Sequence, residues 1–148
     1  MKRASLSLSV GGLPMVVLLA AACAPLSAPP ECADGLGGTA DQNLFAQYFT
    51  AMELVSATSG QPGTPAENGA SFPVTELLAV NVSAVAEVPV RFCVQGFYAG
   101  GVIADDLTAD MVPGENRVHL DAFDTAADYV VRVIVDGVLV KNLPFTLQ

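Results

Sequence analysis

Two runs of mostly β-branched residues separated by Asp136-Gly137 constrain the fold of this chain more than any other feature of its sequence. The first run is Tyr-Val-Val-Arg-Val-Ile-Val at 129–135, and the second is Val-Leu-Val-Lys at 138–141. Asp-Gly favours a two-residue hairpin turn, because both central positions of that turn have positive φ. The pattern therefore predicts an antiparallel hairpin with Val135 opposite Val138 and Val133 opposite Val140.

Further alternating segments predict that the whole domain is all-β. With the hairpin they give about seven strands, at 44–55, 76–84, 88–95, 101–104, 115–121, 129–135 and 138–147. This number of short strands is typical of a single antiparallel two-sheet sandwich. Segment 44–55 is ambiguous, because Leu44, Phe45 and Tyr48 also fit one face of a helix capped by Asp41. We favour a strand there, since a sandwich needs a first strand.

Residues 1–22 have the order of a secretory signal peptide. Lys2 and Arg3 give a basic start, and the apolar run 13–22 ends in small residues just before Cys23. This run is about half of the roughly 20 residues that a membrane-spanning helix needs, and Pro14 interrupts it. We therefore expect the chain to be exported rather than held by a transmembrane helix.

The end of this signal resembles the lipobox of bacterial lipoproteins, and Ala20-Ala21-Ala22-Cys23 carries the resemblance. It departs from the pattern at Ala20, where Leu is commoner. The resemblance implies a lipid, such as palmitate, on Cys23, and hence a cell-envelope lipoprotein anchored to a membrane and facing the periplasm or the cell surface. The alternative is ordinary signal-peptidase cleavage after Ala22, which would release a soluble secreted protein.

The chain has three cysteines, and an odd number needs an explanation in an oxidising compartment. If Cys23 carries lipid, Cys32 and Cys93 remain to form a pair. Alternation in 88–95 places Cys93 on the face opposite Phe92, away from the core, where the preceding segment could reach it. We predict a Cys32–Cys93 disulfide that closes a loop of about 60 residues; the alternative is two free thiols.

Pro, Gly, Ala and Ser dominate the composition after Cys23, which predicts a flexible tether over 23–42 and a sandwich domain over 43–148. Within the domain, Asp124-Thr125-Ala126-Ala127-Asp128-Tyr129 resembles the turn and tyrosine that enter the penultimate strand of immunoglobulin-like and fibronectin-III-like modules of bacterial surface proteins. The tyrosine lies one residue later than the immunoglobulin pattern has it, and the chain has no Trp. The resemblance implies a scaffold, which does not by itself specify a function.

The sequence offers little for catalysis. Its one histidine, His119, alternates with Val118 and Leu120 and is expected on the solvent face of a strand. The sequence contains neither a Gly-x-Ser-x-Gly nucleophile motif nor a phosphate-binding Gly-x-x-x-x-Gly-Lys-Ser/Thr loop. We therefore expect a non-enzymatic protein with no catalytic residues and no cofactor.

Acidic residues are the only candidates for a ligand site. The formal net charge of −9 argues against nucleic-acid binding. Asp105, Asp106 and Asp110 are predicted around a loop, and calcium takes six to eight oxygen ligands in such places. Their spacing is not that of a dedicated calcium loop, so we expect solvated acids and no metal. A calcium-dependent adhesion module is the alternative to a structural or binding module that contacts an envelope protein or glycan.

The second face of the last hairpin is unusually apolar. It is expected to carry Val130, Ile134 and Leu139 beside Arg132 and Lys141. Half-exposed sheets usually have polar residues on the outer face. Either the tether with Cys32 covers this face, or the face is a contact surface; we favour the covered arrangement.

Overall fold

The computed structural model describes residues 39–148. This part of the chain contains one short helix, α1 (Gln42–Tyr48), followed by nine strands. The strands are β1 (Phe49–Ser56), β2 (Thr64–Ala66), β3 (Gly69–Phe72), β4 (Leu78–Ala84), β5 (Val88–Gly96), β6 (Val102–Met111), β7 (Gly114–His119), β8 (Ala127–Val135) and β9 (Val138–Leu147).

The strands form two sheets that pack together. The smaller sheet has three antiparallel strands in the order β1-β4-β7. The larger sheet has six strands in the order β2-β3-β9-β8-β5-β6, in which only the β3–β9 pair is parallel. The described residues therefore form an all-β two-sheet sandwich, which confirms the predicted fold class at this level.

The main hydrophobic core lies between the two sheets. The larger sheet contributes alternating residues of β5 and β8, namely Val88, Val90, Phe92, Val94, Tyr129, Val131, Val133 and Val135. The smaller sheet contributes Leu78, Val80 and Val82 from β4. The alternation that predicted these strands therefore also identified the residues of their inner faces.

The ambiguous segment 44–55 contains both elements that its sequence allows. Asp41 caps α1, since its Oδ1 accepts hydrogen bonds from the backbone nitrogens of Asn43 (3.0 Å) and Leu44 (2.9 Å). The helix ends at Phe49, whose backbone is extended. The favoured interpretation as a single strand is thus wrong for α1 and right for β1.

The hairpin of β8 and β9 has the predicted two-residue turn. Asp136 and Gly137 have φ angles of 50° and 77°, as a turn with two left-handed central residues requires. Val135 pairs with Val138 across this turn, as predicted.

Beyond the pair of Ile134 and Leu139, the register of this hairpin differs from the predicted register. A shift between Val133 and Ile134 pairs Val133 with Lys141 instead of Val140. The extra residue on β9 makes a β-bulge, which sequence alternation does not reveal. Lys141 thereby leaves the face expected for it, and its Nζ lies 5.3 Å from the ring centroid of Phe45 in α1.

The hairpin of β2 and β3 was not predicted from the sequence. It lies at the edge of the larger sheet, where β3 runs parallel to β9 and pairs Ala70 with Phe145. These two short strands raise the number in the described residues to nine, instead of about seven. The short runs around Gly69 contain too few alternating residues to be distinguished from a loop.

Strand β6 is much longer than the segment 101–104 predicted for it. It extends to Met111, so that Asp105, Asp106 and Asp110 lie on a strand and not around a loop. The physical reason is its position at the edge of the larger sheet, since edge strands tolerate charged residues that oppose pairing with another chain. The interpretation of these aspartates as loop residues is therefore wrong.

Tyr129 fixes the entry to β8. Its side chain is 2% exposed, and its hydroxyl donates a hydrogen bond to the backbone oxygen of Thr125 at 2.7 Å. Burial raises the pKa of Tyr129 to about 12, with the nearby Tyr98 as a further cause. The loop before β8 is thus tied to the core by a hydroxyl that stays protonated.

Candidate functional site: the outer face of the larger sheet

We define the outer face as the side of the six-stranded sheet that points away from the smaller sheet. In β5 it carries Arg91, Cys93 and Gln95, which alternate with the core residues. In β8 it carries Val130, Arg132 and Ile134. Cys93 lies between Asp106 on one side and Arg132 on the other, and Arg132 pairs with Asn142 of β9.

The centre of the outer face is buried. Cys93 is 0% exposed and Ile134 is 4% exposed, and the two form a small apolar cluster separate from the main core. Among the described residues, Leu139 is the partly buried hydrophobic that packs against them. The prediction that Cys93 points away from the main core is confirmed, and its side chain packs with Ile134.

Arg132 is a second buried group on this face. It is 6% exposed, and burial lowers the pKa of its guanidinium. Its Nε donates to Oε1 of Gln95 at 3.4 Å, which is a long hydrogen bond. Within residues 39–148, no carboxylate oxygen lies within 4.0 Å of its guanidinium nitrogens. A buried cation without a close anion is costly unless other groups compensate for the lost hydration.

A groove of about 550 Å³ opens beside Arg132 towards the β2–β3 hairpin. Its walls include Glu67, Phe97, Asn142 and Pro144. Phe97 is 46% exposed, and Oδ1 of Asn142 is buried without a hydrogen-bond partner. Sequence reasoning missed both residues, because Phe97 follows the end of β5 and the bulge in β9 shifts Asn142 into register with Arg132.

Arg91 and Asp106 form an ion pair at the β6 side of the outer face. Arg91 donates from Nε to Oδ1 of Asp106 at 2.8 Å and from Nη2 to Oδ2 at 2.6 Å. These hydrogen bonds lower the pKa of Asp106, its burial opposes that effect, and the charge of Arg91 adds to it. These two hydrogen bonds from one guanidinium to one carboxylate orient the side chain of Arg91 towards β6.

We expect Asp106→Asn to remove a pH-dependent part of the stability. Because the folded pKa of Asp106 lies below its unfolded value of about 4, the stabilisation is present above that value and is lost as the pH falls through the folded pKa. The pair is partly exposed, so the loss at neutral pH is less than about 1 kcal/mol.

The measurement for this prediction is urea denaturation at neutral pH and at about pH 2. The difference between the variant and the original protein should be smaller in acid, because the lowered pKa of Asp106 makes its stabilisation fall as the pH falls. Asp110→Asn on the same strand is the matched control and should show little difference at either pH. An equal loss for Asp106→Asn at both pH values would contradict the assignment.

The structure does not bring the three calcium candidates together. Asp105 accepts hydrogen bonds from the backbone nitrogens of Asp106 (2.8 Å) and Asp121 (2.9 Å), which ties β6 to the loop after β7. Asp106 and Asp110 are four residues apart on one strand, which separates them by about 13 Å. In residues 39–148 no group of three or more His, Cys, Asp or Glu side chains is placed to hold a metal ion.

Two further aspartates, Asp124 before β8 and Asp128 in β8, have separate partners as well. Asp124 accepts a hydrogen bond from Oγ1 of Thr125 at 3.0 Å, and Asp128 accepts one from Oγ1 of Thr146 at 2.6 Å. His119 is exposed on β7 between two buried residues, as predicted. The two aspartates stabilise a turn and a pair of strands, and they do not form a common site.

Two of the predicted site residues, Cys23 and Cys32, lie outside the described residues, as does the predicted signal peptide. The Cys32–Cys93 disulfide therefore stays a prediction. Among the described residues 39–148 there is no helix that could span a lipid bilayer.

Comparison with models of known protein families and with curated proteins gives no matching family and no matching relative.

Proposed function

We propose that this protein is an exported cell-envelope lipoprotein, anchored by a lipid on Cys23, whose immunoglobulin-like sandwich is a non-enzymatic module for contact with an envelope protein or glycan. The observation that carries the anchor is the apolar run ending in Ala20-Ala21-Ala22-Cys23. The anchor places the module on the periplasmic or outer side of a membrane.

The arrangement of strands supports an immunoglobulin-like or fibronectin-III-like module. Without the β2–β3 hairpin, seven strands remain, three in one sheet and four in the other in the order β9-β8-β5-β6. The bond from Tyr129 to Thr125 fits the tyrosine corner of such modules, where a tyrosine near the start of the penultimate strand bonds to the backbone a few residues upstream.

The groove on the outer face supports a contact role. It combines the guanidinium of Arg132 with the exposed ring of Phe97 and the amide of Asn142. Arginine and aromatic residues are the groups that contribute most to binding at contact surfaces. A peptide or glycan with hydrogen-bond acceptors fits this chemistry, because these acceptors would compensate the buried guanidinium of Arg132.

Cys23→Ala tests the anchor. The original protein should be found in the membrane fraction of the producing bacterium, and the variant should move to the soluble fraction or remain as an uncleaved precursor. Ser27→Ala, four residues away, is the matched control and should not change the fractionation. Ala20→Leu brings the segment closer to the lipobox pattern and should keep or increase the membrane-bound fraction.

A soluble original protein with unmodified Cys23 would contradict the proposal and support ordinary signal-peptidase cleavage. Membrane association that persists in Cys23→Ala after complete removal of the signal peptide would contradict it too, because a lipid on Cys23 could not then be the anchor.

A further inference from the structure

Two polar side chains in the groove of the outer face lack the hydrogen bonds that buried groups normally make. Arg132 is 6% exposed, and its Nε donates to Gln95 at 3.4 Å. A guanidinium has five N–H groups, and no described residue accepts a hydrogen bond from the other four. Oδ1 of Asn142 is buried, and no described residue donates to it. Unpaired buried groups reduce stability, so a ligand that pairs with both would be bound favourably.

The two side chains are neighbours with complementary needs. Arg132 and Asn142 pair across β8 and β9, which places their Cβ atoms about 5 Å apart on one face. The guanidinium needs an acceptor, and Oδ1 of Asn142 needs a donor. A ligand must therefore present an acceptor and a donor close together. Hydroxyl groups on adjacent carbon atoms meet this condition, because each hydroxyl can both donate and accept.

Phe97 adds an exposed aromatic surface beside these two groups. Its side chain is 46% exposed and lines both the groove of about 550 Å³ and a second cavity of about 250 Å³. Gln95, Gly100 and Gly101 line the rest of the second cavity. We define the two cavities together as the cleft, which runs from the β2–β3 hairpin to the loop before β6. An elongated ligand suits this shape, because the cleft continues on both sides of Phe97.

The charges of the cleft favour an uncharged ligand. Its exposed charged residues are both acidic, Glu67 and Asp128, and the one cation that lines it is the buried Arg132. The formal net charge of the chain is −9. An anionic ligand would be repelled by the rim and by the protein as a whole.

We propose that the cleft binds an uncharged oligosaccharide. Neighbouring hydroxyls of one sugar pair with Arg132 and Asn142, and the C–H face of the next sugar packs on the ring of Phe97. This packing is favourable because the face of an aromatic ring is negative and the C–H groups are slightly positive. The inference rests on the proposed function for the contact role of the module, and it selects a glycan rather than a protein as the partner.

A peptide fits the cleft less well than a glycan. Peptides that bind to sheets add a strand to a free edge, where the backbone of both chains is paired. The cleft instead crosses β9, β8 and β5, and each of these strands has a neighbouring strand on both sides. A peptide lying there would leave many of its own N–H and C=O groups unpaired, whereas hydroxyls of a sugar that face away from the protein remain in water.

Calorimetric titration tests the site. The full chain carrying Cys23→Ser is titrated with uncharged hexasaccharides of glucose, mannose, galactose, xylose and N-acetylglucosamine. We expect at least one of them to bind, with the same affinity at low and high salt, because the ligand carries no charge to be screened. Absence of binding for all of them at millimolar concentration would overturn the proposal. Tighter binding of a galacturonic acid hexamer, or of an uncharged peptide of Gly, Ser and Asn, would overturn it too.

Phe97→Ala tests the aromatic contact. It should lower the affinity for the bound hexasaccharide by about tenfold, because a central aromatic side chain contributes much of the binding energy of a site. Leu77→Ala is the matched control, since Leu77 is 51% exposed and lies just before β4 of the smaller sheet. The control should leave the affinity unchanged. Equal affinities of Phe97→Ala and the original protein would overturn the proposal.

Asn142→Ala separates binding from folding. Because Oδ1 of Asn142 has no partner in the described chain, its removal should leave the free energy of unfolding unchanged or raise it. The affinity for the hexasaccharide should fall by about fivefold or more, because a hydrogen bond to the ligand is lost. A loss of stability with unchanged affinity would assign Asn142 a structural role and overturn the proposal.

The glycan site and the lipid anchor can fail separately, because binding is measured on purified protein without the lipid. If no hexasaccharide binds while Cys23 carries lipid in the membrane fraction, the glycan site is wrong and the anchor stands. If a hexasaccharide binds in the cleft while Cys23 is unmodified, the glycan site stands and the anchor is wrong.

Discussion

Replacement of Phe145 by alanine is expected to lower the free energy of unfolding by about 3–5 kcal/mol. Phe145 is 0% exposed, and its ring stacks on Tyr129 with centroids 5.0 Å apart and an interplanar angle of 12°. The rings of Phe123 and Phe72 lie 6.1 Å and 6.5 Å from it. Alanine would leave a cavity among three aromatic rings that cannot collapse without moving β9 or β8.

Urea denaturation measures this loss. Phe97→Ala is the matched control, because Phe97 is 46% exposed, and its loss should stay within about 0.5 kcal/mol. Similar losses for the two variants would contradict the core assignment, as would a loss for Phe145→Ala of less than about 1 kcal/mol.

Gly69→Ala is the second substitution with a large expected effect. Gly69 has φ of 101°, and a Cβ there would lie 2.1 Å from the backbone oxygen of Pro144 in β9. Left-handed strain of about 1–2 kcal/mol adds to a steric cost of about 1–3 kcal/mol. We expect β3 to separate from β9, with a total loss of about 2–5 kcal/mol.

Gly100→Ala separates these two causes. Gly100 has a similar φ of 87°, but nothing lies within 4 Å of the place where its Cβ would be. Gly100→Ala should lower the free energy of unfolding only by the backbone strain, which is about 1–2 kcal/mol. Hydrogen exchange should show loss of protection at Ser71 and Phe72 in Gly69→Ala alone. Equal destabilisation without that local loss would show that backbone strain, and not the contact with Pro144, is the cause.

The parts of the fold that were predicted correctly depend on local patterns. Alternation of Val88, Val90 and Phe92 distinguishes the two faces of β5, and Asp136-Gly137 specifies its own turn. Asp41 marks the start of α1 because a cap acts within three residues of the chain. The strand from Phe49 onward was predicted, but its boundary with the helix was not.

The parts that were missed depend on contacts between distant residues. The bulge in β9 opposite Val133 becomes visible only when β8 and β9 are paired. The β2–β3 hairpin is defined by its docking on β9 more than by its own alternation. Asp106 was predicted in a loop because the sequence around it does not reveal its ion pair with Arg91, which lies on another strand.

In the candidate site, too, some features follow from local sequence patterns and others arise only from contacts between distant residues. Period-two alternation predicted Cys93 on the outer face of its strand and, separately, Ile134 and Leu139 on the second face of the last hairpin, and the structure brings the three together. The sequence also placed Arg132 there, but its burial is a property of the assembled sheet. The groove beside Phe97 arises from the meeting of β5, β8, β9 and the β2–β3 hairpin, so no single segment encodes it.

The intact mass of the protein isolated from the membrane fraction of a bacterium that expresses it tests the proposed lipid anchor. We expect residues 23–148 with the added mass of a lipid, and fragmentation should place that lipid on Cys23. A chain that begins at Cys23 with an unmodified thiol, or one that retains residues 1–22, would contradict the proposed anchor.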